Sequence, residues 1–200
     1  MIIAKMMLGK LGHRLDPAVY RVARALRLNV NPSFLTFLGF VFNGVASVLV
    51  ALGEWFWGGL IVLIGGLFDM MDGAVARLEG KSSLFGAFFD SVMDRFSDFL
   101  VFIGLAYFYC QKEEKTLLLL TLFALMGSIL VPFCRARAEV FIPSCKVGVL
   151  ERPERVILMA FGFISGLMIE VLWVITVLSF FTVFQRILYT KRVLSKRESG

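Results

Sequence analysis

Six long apolar segments divide the chain, and short polar or charged connections separate them. They run over residues 32–52, 57–77, 84–109, 117–138, 153–169 and 171–189. A bilayer core of about 30 Å needs roughly 20 consecutive apolar residues in a helix, with about 17–25 tolerated. Asn31 and Pro32 supply a start signal for the first helix, since Asn caps helices and Pro suits the first turn. We therefore predict an all-α integral membrane protein with six transmembrane helices, the last two of them short.

A shorter amphipathic pattern precedes the first apolar segment, between Leu15 and Leu28. Its apolar residues share one helical face and its arginines fall elsewhere: Val19, Val22, Ala23 and Leu26 against Arg21, Arg24 and Arg27. This pattern predicts a helix that lies in the membrane interface. The predicted organisation is a juxtamembrane segment over 1–30, a six-helix domain over 31–190 and a basic cytoplasmic tail over 191–200.

The composition agrees with a polytopic membrane protein. Apolar residues form 58% of the 200 residues and charged residues 18%, against roughly 45–50% and about 25% in soluble domains. The mean hydropathy is +0.82. These values exclude a disordered chain and an ordinary soluble enzyme, and three scattered cysteines do not form a disulfide framework. The net charge of +6 is typical of contact with the cytoplasmic leaflet, so no nucleic-acid partner is expected.

The distribution of Lys and Arg predicts the orientation. With the N-terminus inside, 19 of the 21 Lys and Arg residues fall on the cytoplasmic side, and only Lys112 and Lys115 fall outside. Positive charge is concentrated in cytoplasmic connections of membrane proteins. We therefore expect both termini on the cytoplasmic side of the cell membrane.

Candidate chemistry lies where the second and third segments meet the cytoplasm. Asp69 and Asp72 are three residues apart, and Asp90, Asp94 and Asp98 recur every four residues. Residues three or four apart share one face of a helix. The short connection between the two segments predicts that these helices are antiparallel neighbours with converging acidic faces.

The four carboxylates of Asp69, Asp72, Asp90 and Asp94 are costly in a membrane unless a cation neutralises them. Each charged residue at the centre of a membrane helix costs about 2.5–3.5 kcal/mol on insertion scales. Hard oxygen ligands suit Mg²⁺, Mn²⁺ or Ca²⁺, so the pattern predicts a divalent-metal site. Solvation in the headgroup region is the alternative for any one aspartate, but it does not explain four on two faces.

The same residues carry a family resemblance. The order D-x2-D-G-x2-A-R-x8-G-x3-D-x3-D runs without a gap from Asp69 to Asp94, and it resembles the signature of the CDP-alcohol phosphotransferases. The resemblance implies a membrane enzyme that forms a homodimer. It also implies that two Mg²⁺ or Mn²⁺ ions bridge the diphosphate of a CDP-linked lipid. Asp69, Asp72 and Asp90 would hold one ion and Asp94 would share the second. Asp94 is also the candidate general base and thus the catalytic residue.

The resemblance further implies contacts with the CDP-lipid. They are assigned to the start of the first helix, to the motif and to the connection that follows it: Ser33, Phe34, Leu35, Thr36, Gly73, Arg77 and Ser83. Ser83 replaces the more common threonine and retains the hydroxyl.

Two further stretches are similar to the phosphatidylinositol phosphate synthases within this family. One begins at Asp90 and continues through Arg95 to Asp98, and the other comprises residues 135–139 and 147–155. The implied reaction transfers a phosphatidyl group from CDP-diacylglycerol to a phosphorylated polyol, with inositol 1-phosphate preferred. Glycerol 3-phosphate is the alternative acceptor, because it also offers a phosphate and a hydroxyl.

Arginines near the cytoplasmic helix ends are candidates for binding the acceptor phosphate. Arg135, Arg155 and Arg186 lie at such ends of the fourth, fifth and sixth segments, and guanidinium groups can bind a phosphate with two hydrogen bonds. A role as positive anchors at the membrane surface is the alternative, and the resemblance favours the phosphate pocket for these three. Arg152, Arg192 and Arg197 are interpreted as anchors.

A cation transporter is the alternative from another functional class. Transporters place their ion ligands near the middle of the bilayer and are often built from repeated halves. This chain places its aspartates at one interface and has no internal repeat, so the enzyme is favoured.

Overall fold

A computed structural model describes residues 32–78 and 83–198, except for the side chains of residue 74 and residues 76–78. Within these ranges the chain forms six α-helices, and the longest connection between them covers residues 139–151. They are α1 (Pro32–Ala51), α2 (Trp55–Leu78), α3 (Leu84–Gln111), α4 (Lys115–Ala138), α5 (Arg152–Ser165) and α6 (Met168–Glu198). The predicted interfacial helix between residues 15 and 28 lies outside the described residues. The all-α fold is confirmed.

Among the described residues, four helical stretches are long and apolar enough to cross a membrane. They are Pro32–Ala51, Trp55–Gly73, Lys115–Ala138 and Met168–Glu198. The first half of α3 carries charged residues, and α5 has 14 residues, which gives it a length of only about 21 Å. Six spans therefore remain a prediction. The helix α6 continues without a break past residue 190, where the sequence pattern placed the start of a tail.

The helices pack in a closed ring. Along the ring, α1 contacts α2 and α3, α3 contacts α4, α4 contacts α6, α6 contacts α5, and α5 returns to α2. The predicted convergence of the acidic faces of α2 and α3 is present, but the two helices touch each other at only a few positions, because α1 packs extensively against both. The two acidic helices thus face a shared space beside α1.

Small residues allow α1 to pack closely against both neighbours. Gly65 of α2 lies so close to Asn43 that an added Cβ would be 2.6 Å from the Asn43 amide nitrogen. Gly104 of α3 lies directly against the backbone of Ser47, where an added Cβ would overlap the Ser47 carbonyl oxygen. Ser47 also donates a hydrogen bond of 2.5 Å to the carbonyl oxygen of Leu100. These contacts fix the separation of α1 from α3.

The centre of the ring is apolar, and much of its outer surface is apolar as well. Ala46, Val50, Leu105, Leu172 and Ile175 are fully buried. Large apolar side chains are exposed on the outside of the same helices, among them Val48, Leu67, Ile103, Phe123 and Phe181. An exposed apolar surface of this extent is what a lipid environment requires.

The connection from α4 to α5 is held against α6. The hydroxyl of Thr182 accepts the backbone N–H groups of Val149 and Leu150 at 3.2 and 3.4 Å, and Arg186 Nε donates to the carbonyl oxygen of Val147 at 2.9 Å. A capping box between Glu151 and Glu154 then starts α5. The first turn of α5 is thereby fixed at the end of the ring where the acidic residues lie.

The glycine contact between α3 and α1 yields a stability prediction. Gly104→Ala should lower the free energy of unfolding by about 1–3 kcal/mol, because the new methyl group overlaps the backbone of α1. The measurement is the thermal midpoint of the purified protein in detergent. Gly44→Ala is the matched control, since its Cβ would be 3.8 Å from the nearest side-chain atom of Leu100. A fall for Gly104→Ala no larger than for Gly44→Ala would contradict the close packing.

Candidate active site

The acidic residues and several arginines gather at one end of the ring. Asp69 and Asp72 come from the last part of α2, Asp90 and Asp94 from the first half of α3, and Arg152 from the first residue of α5. The beginning of α1 and the ends of α4 and α6 lie at the same end. Residues from all six helices therefore lie in this region.

Arg152 lies among the carboxylates. Its Nη2 atom is 2.8 Å from Asp69 Oδ2, its Nη1 atom is 2.7 Å from Asp94 Oδ1, and its Nε atom is 3.6 Å from Asp98 Oδ1. The side chain is 20% exposed. The interpretation of Arg152 as a surface anchor is wrong, because its guanidinium group joins aspartates from α2 and α3 inside the protein.

A second arginine of the same turn extends this network. Arg155 is 4% exposed and its Nη2 atom donates to Asp98 Oδ2 at 3.0 Å. Positive charges at a helix N-terminus are unfavourable, because that end carries partial positive charge. The aspartates of α2 and α3 supply the negative charge that offsets this cost.

Asp72 and Asp69 both face α1. Asp72 is 4% exposed and accepts a hydrogen bond from the hydroxyl of Thr36. One turn further along α1, Gly39 leaves the space that Asp69 occupies, since an added Cβ would overlap Asp69 Oδ1. Thus α1 orients one aspartate with a hydroxyl group and makes room for the other.

Asp94 is held by two arginines but is incompletely hydrogen-bonded. Its Oδ2 atom lies 3.5 Å from Arg95 Nη1, which also donates to the carbonyl oxygen of Ser91 at 2.6 Å. Its Oδ1 atom is near Arg152 but has no partner in hydrogen-bond geometry, and the same holds for the buried Arg152 Nε. The charge of Asp94 is therefore paired with those of the arginines, whereas its Oδ1 atom and Arg152 Nε each lack a hydrogen bond.

The aspartates have the right chemistry for a divalent cation. Hard carboxylate oxygens from two helices meet here, and Asp94 Oδ1 has no partner in hydrogen-bond geometry. Among the described residues, however, no three His, Cys, Asp or Glu side chains are arranged to hold a metal ion as they stand. The positive charge between Asp69 and Asp94 is the guanidinium group of Arg152.

A cavity of about 160 Å³ adjoins the carboxylates. Its lining includes Asp94, Arg152 and all three arginines that the sequence pattern assigned to a phosphate pocket, Arg135, Arg155 and Arg186. These three residues come from α4, α5 and α6, and no local pattern brings them together. The structure thus places them around one space beside Asp94.

Two of these arginines are oriented by neighbouring oxygens. Arg186 is 2% exposed and donates to the backbone carbonyl oxygens of Val147 and Val131. Arg135 Nε donates to Glu139 Oε1 at 3.1 Å. The backbone N–H of Cys145 also donates to Glu139, which lowers the pKa of its carboxyl group and keeps it charged beside Arg135.

Comparison with known proteins identifies the family of this chain. The family model for CDP-alcohol phosphatidyltransferase matches residues 29–188. The archaetidylinositol phosphate synthase of Methanothermobacter thermautotrophicus is 34% identical over 88% of this chain and 87% of its own. The chain belongs to the CDP-alcohol phosphatidyltransferase family.

Solved structures of one family member share the fold. The phosphatidylinositol phosphate synthase of Mycobacterium tuberculosis with bound CDP-DAG has a TM-score of 0.77 and 32% identity, and the match covers 86% of this chain and 92% of that one. The same protein in complex with manganese and citrate has a TM-score of 0.74 at 32% identity, over 86% and 88% of the two chains. The resemblance inferred from the sequence is thereby confirmed, and the protein is a CDP-alcohol phosphotransferase.

The CDP-lipid contacts expected for this phosphotransferase have varied surroundings. The hydroxyl of Thr36 faces Asp72, Leu35 packs with Val75 in a small apolar cluster, and Phe34 is 55% exposed.

Ser83 caps α3 by accepting the N–H of Gly86 at 2.9 Å. Ser33 lies in the first turn of α1 and Gly73 directly follows Asp72 on α2, while the side chain of Arg77 lies outside the described part. The nucleotide contacts remain predictions.

Sequence reasoning missed Arg152 and the orienting role of Thr36. A signal for Arg152 was present, because two arginines in the first turn of a capped helix oppose the helix dipole and need acidic partners. Thr36 gave no such signal. Its partner Asp72 lies 36 residues away, and only the packing of α1 against α2 joins them.

The hydrogen bond from Thr36 yields a prediction about turnover. Thr36→Val keeps the side-chain shape but leaves the buried Asp72 without its donor, so kcat should fall about tenfold. Thr36→Ser retains the hydroxyl and should keep most of the activity. The measurement is steady-state transfer of the phosphatidyl group in detergent micelles. A rise in the KM for the CDP-lipid with kcat unchanged would contradict the orienting role and favour direct contact with the donor.

Proposed function

We propose that this enzyme transfers the phosphatidyl group of CDP-diacylglycerol to a hydroxyl of inositol 1-phosphate and releases CMP. The acceptor oxygen forms a bond with the phosphorus that carries the lipid, and the diphosphate P–O bond to CMP breaks. The observation that carries this proposal is the cavity in which Arg135, Arg155 and Arg186 surround a space next to Asp94. Such a cavity suits an acceptor that carries its own phosphate.

The relatives support the choice of acceptor. The matching proteins with functional names include an archaetidylinositol phosphate synthase and phosphatidylinositol phosphate synthases. These names differ in the lipid part and agree in the inositol phosphate part. Inositol phosphate is therefore favoured as the acceptor. The CDP-DAG bound in the M. tuberculosis structure supports CDP-diacylglycerol as the donor.

Two divalent cations, Mg²⁺ or Mn²⁺, are proposed at the carboxylates. Asp69, Asp72 and Asp90 would hold one ion, and Asp94 would share the second. The manganese complex of the M. tuberculosis relative supports the use of a divalent metal by this enzyme. When bound, the ions would neutralise charge on the donor diphosphate and on the leaving CMP. The donor CMP moiety would lie near Ser33, Gly73, Arg77 and Ser83.

Within this arrangement the protein's own groups orient the acceptor. Arg135, Arg155 and Arg186 would bind its phosphate, and Asp94, which lines the same cavity, would accept the proton of the attacking hydroxyl. The arginines are held by Glu139, Asp98 and backbone carbonyl groups respectively. The phosphate would therefore meet donors that are already positioned, which lowers the entropic cost of aligning the hydroxyl.

The proposed setting is the plasma membrane, with the site and both termini on the cytoplasmic side. All six helices would be embedded in the bilayer with the lipid chains beside them, and α5 would cross it together with neighbouring residues. A homodimer is the proposed assembly. The accumulation of basic residues at the end of the ring that holds the site supports this orientation.

The product of the reaction tests the proposed function directly. The purified protein, given CDP-diacylglycerol and Mg²⁺, should form phosphatidylinositol phosphate from inositol 1-phosphate, as identified by mass spectrometry of the lipid. Activity should stop in EDTA and return with Mg²⁺ or Mn²⁺. A phosphatidylglycerol phosphate product from glycerol 3-phosphate at a higher kcat/KM would identify the other acceptor. Cation flux into vesicles without any lipid product would instead indicate a transporter.

The arginine cavity yields a prediction about the acceptor. Arg135→Ala should raise the KM for inositol 1-phosphate about tenfold to hundredfold with little change in the KM for the donor, because it removes charge-assisted hydrogen bonds. Arg137→Ala is the matched control, since Arg137 is exposed two residues along α4 and lies over the ring of Phe141 at 5.0 Å.

Free inositol provides the second half of this measurement. It should be a poor acceptor for the wild type, because it leaves the guanidinium groups of the cavity without an anion. Equal kcat/KM for inositol and inositol 1-phosphate would contradict the phosphate pocket. An unchanged acceptor KM together with reduced membrane insertion of Arg135→Ala would show that Arg135 is an anchor.

The assignment of Asp94 as the base yields a prediction about rate. General base catalysis contributes about 10²–10⁴-fold, so Asp94→Asn should lower kcat by that order. Binding of CDP-diacylglycerol, measured by displacement of a fluorescent analogue, should change much less. CMP release near the wild-type rate would mean that another group accepts the proton.

A further inference from the structure

Arg152 binds the same oxygens that a metal ion would need. Each nitrogen of its guanidinium group faces a different carboxylate, with Nη2 at 2.8 Å from Asp69, Nη1 at 2.7 Å from Asp94 and Nε at 3.6 Å from Asp98. Two of these aspartates, Asp69 and Asp94, belong to the proposed metal ligands. A cation is thus already present between α2 and α3, and the protein itself supplies it.

Arg152 forms ion pairs with the carboxylates, but its hydrogen bonds to them are incomplete. A guanidinium group makes its best contacts as a two-pronged pair with a single carboxylate. Here it is spread over three, and both Arg152 Nε and Asp94 Oδ1 are buried without a partner in hydrogen-bond geometry. An arrangement that leaves buried polar atoms unsatisfied can be exchanged for a better one at low cost.

We propose that Arg152 is a resident counter-cation that a divalent metal ion displaces from Asp69 and Asp94. This inference rests on the proposed function, because it assumes that these aspartates bind the metal. In the metal-free enzyme Arg152 neutralises the buried carboxylates and keeps α2, α3 and α5 together. An ion that binds the same oxygens cannot share them with a guanidinium group, because the two cations repel each other at that distance.

The cavity beside the carboxylates has room for the displaced Arg152 side chain. Arg152 already lines the cavity that Arg135, Arg155 and Arg186 surround, so a change of its rotamer would bring the guanidinium group closer to the proposed position of the acceptor phosphate. A phosphate in the cavity favours the displaced position, and a metal at the carboxylates enforces it. The two ligands should therefore strengthen each other's binding, which is a linkage between neighbouring sites.

A Mn²⁺ titration of the full chain in detergent tests this inference, with free Mn²⁺ followed by its electron paramagnetic resonance signal. Arg152→Gln should bind Mn²⁺ about tenfold to hundredfold more tightly than the wild type, because the ion no longer competes with a charge-assisted contact. Arg192→Gln is the matched control, since Arg192 is exposed on α6. It should leave the Mn²⁺ affinity unchanged.

Arg152→Lys separates displacement from a general effect of charge. Lysine keeps the positive charge, but its compact ammonium group does not match the two-pronged contacts of arginine. Displacement of bridging contacts predicts several-fold tighter Mn²⁺ binding in this variant too, whereas a purely long-range repulsion predicts no change. If Arg152→Gln does not fold, Arg152→Lys carries the test alone.

The same titration with inositol 1-phosphate present examines the linkage. The phosphate should tighten Mn²⁺ binding in the wild type, and the tightening should be smaller in Arg152→Gln. Equal or weaker Mn²⁺ affinity in the Arg152 variants would overturn displacement, and equal tightening in both proteins would overturn the linkage to the cavity. A wild type that takes up no Mn²⁺, or an Asp90→Asn variant that binds it normally, would overturn the proposed metal site and this inference with it.

Discussion

The ion pairs between the first turn of α5 and the aspartates of α2 and α3 are the interaction on which the site depends. Removing one partner from a buried ion pair leaves an uncompensated charge and costs about 3–5 kcal/mol. Arg152 and Arg155 join Asp69, Asp94 and Asp98 in this way. Because the pairs join three helices, the carboxylates can converge at one end of the ring without unfolding it.

Several separate features of the fold position the arginines and aspartates that form these ion pairs. The capping box starts α5 at residue 152, and Thr182 with Arg186 holds the preceding connection against α6. Gly39 gives Asp69 its space, and Gly104 lets α1 lie against α3. Arg186 also lines the cavity of the proposed phosphate pocket. Arg186 therefore both holds the backbone and lines this cavity, so under the proposed function its substitution would affect stability and acceptor binding together.

Much of the outline could be read from local pattern. Helical segments follow from runs of apolar residues whose length matches a bilayer, and the spacing from Asp69 to Asp94 carries the family resemblance. The spacing of three or four residues also places carboxylates on one helical face. The number of spans is less well predicted, since α5 is only 14 residues long and α3 carries charge in its first half. Hydropathy measures composition along the chain and gives no information on which residues are sheltered by neighbouring helices.

The sequence by itself determined the helical segments, the family and the aspartates of the proposed site, because each of these depends on residues close together in the chain. Only the tertiary structure decided the partners. Helix α1 packs between α2 and α3, so the hydroxyl of Thr36 contacts Asp72. Arg135, Arg155 and Arg186 line one cavity. Arg152, which the sequence pattern assigned to the membrane surface, lies among the aspartates. These contacts join residues up to 83 positions apart. They follow from how helices of given shape and charge pack against one another, which a periodic pattern in one helix does not specify.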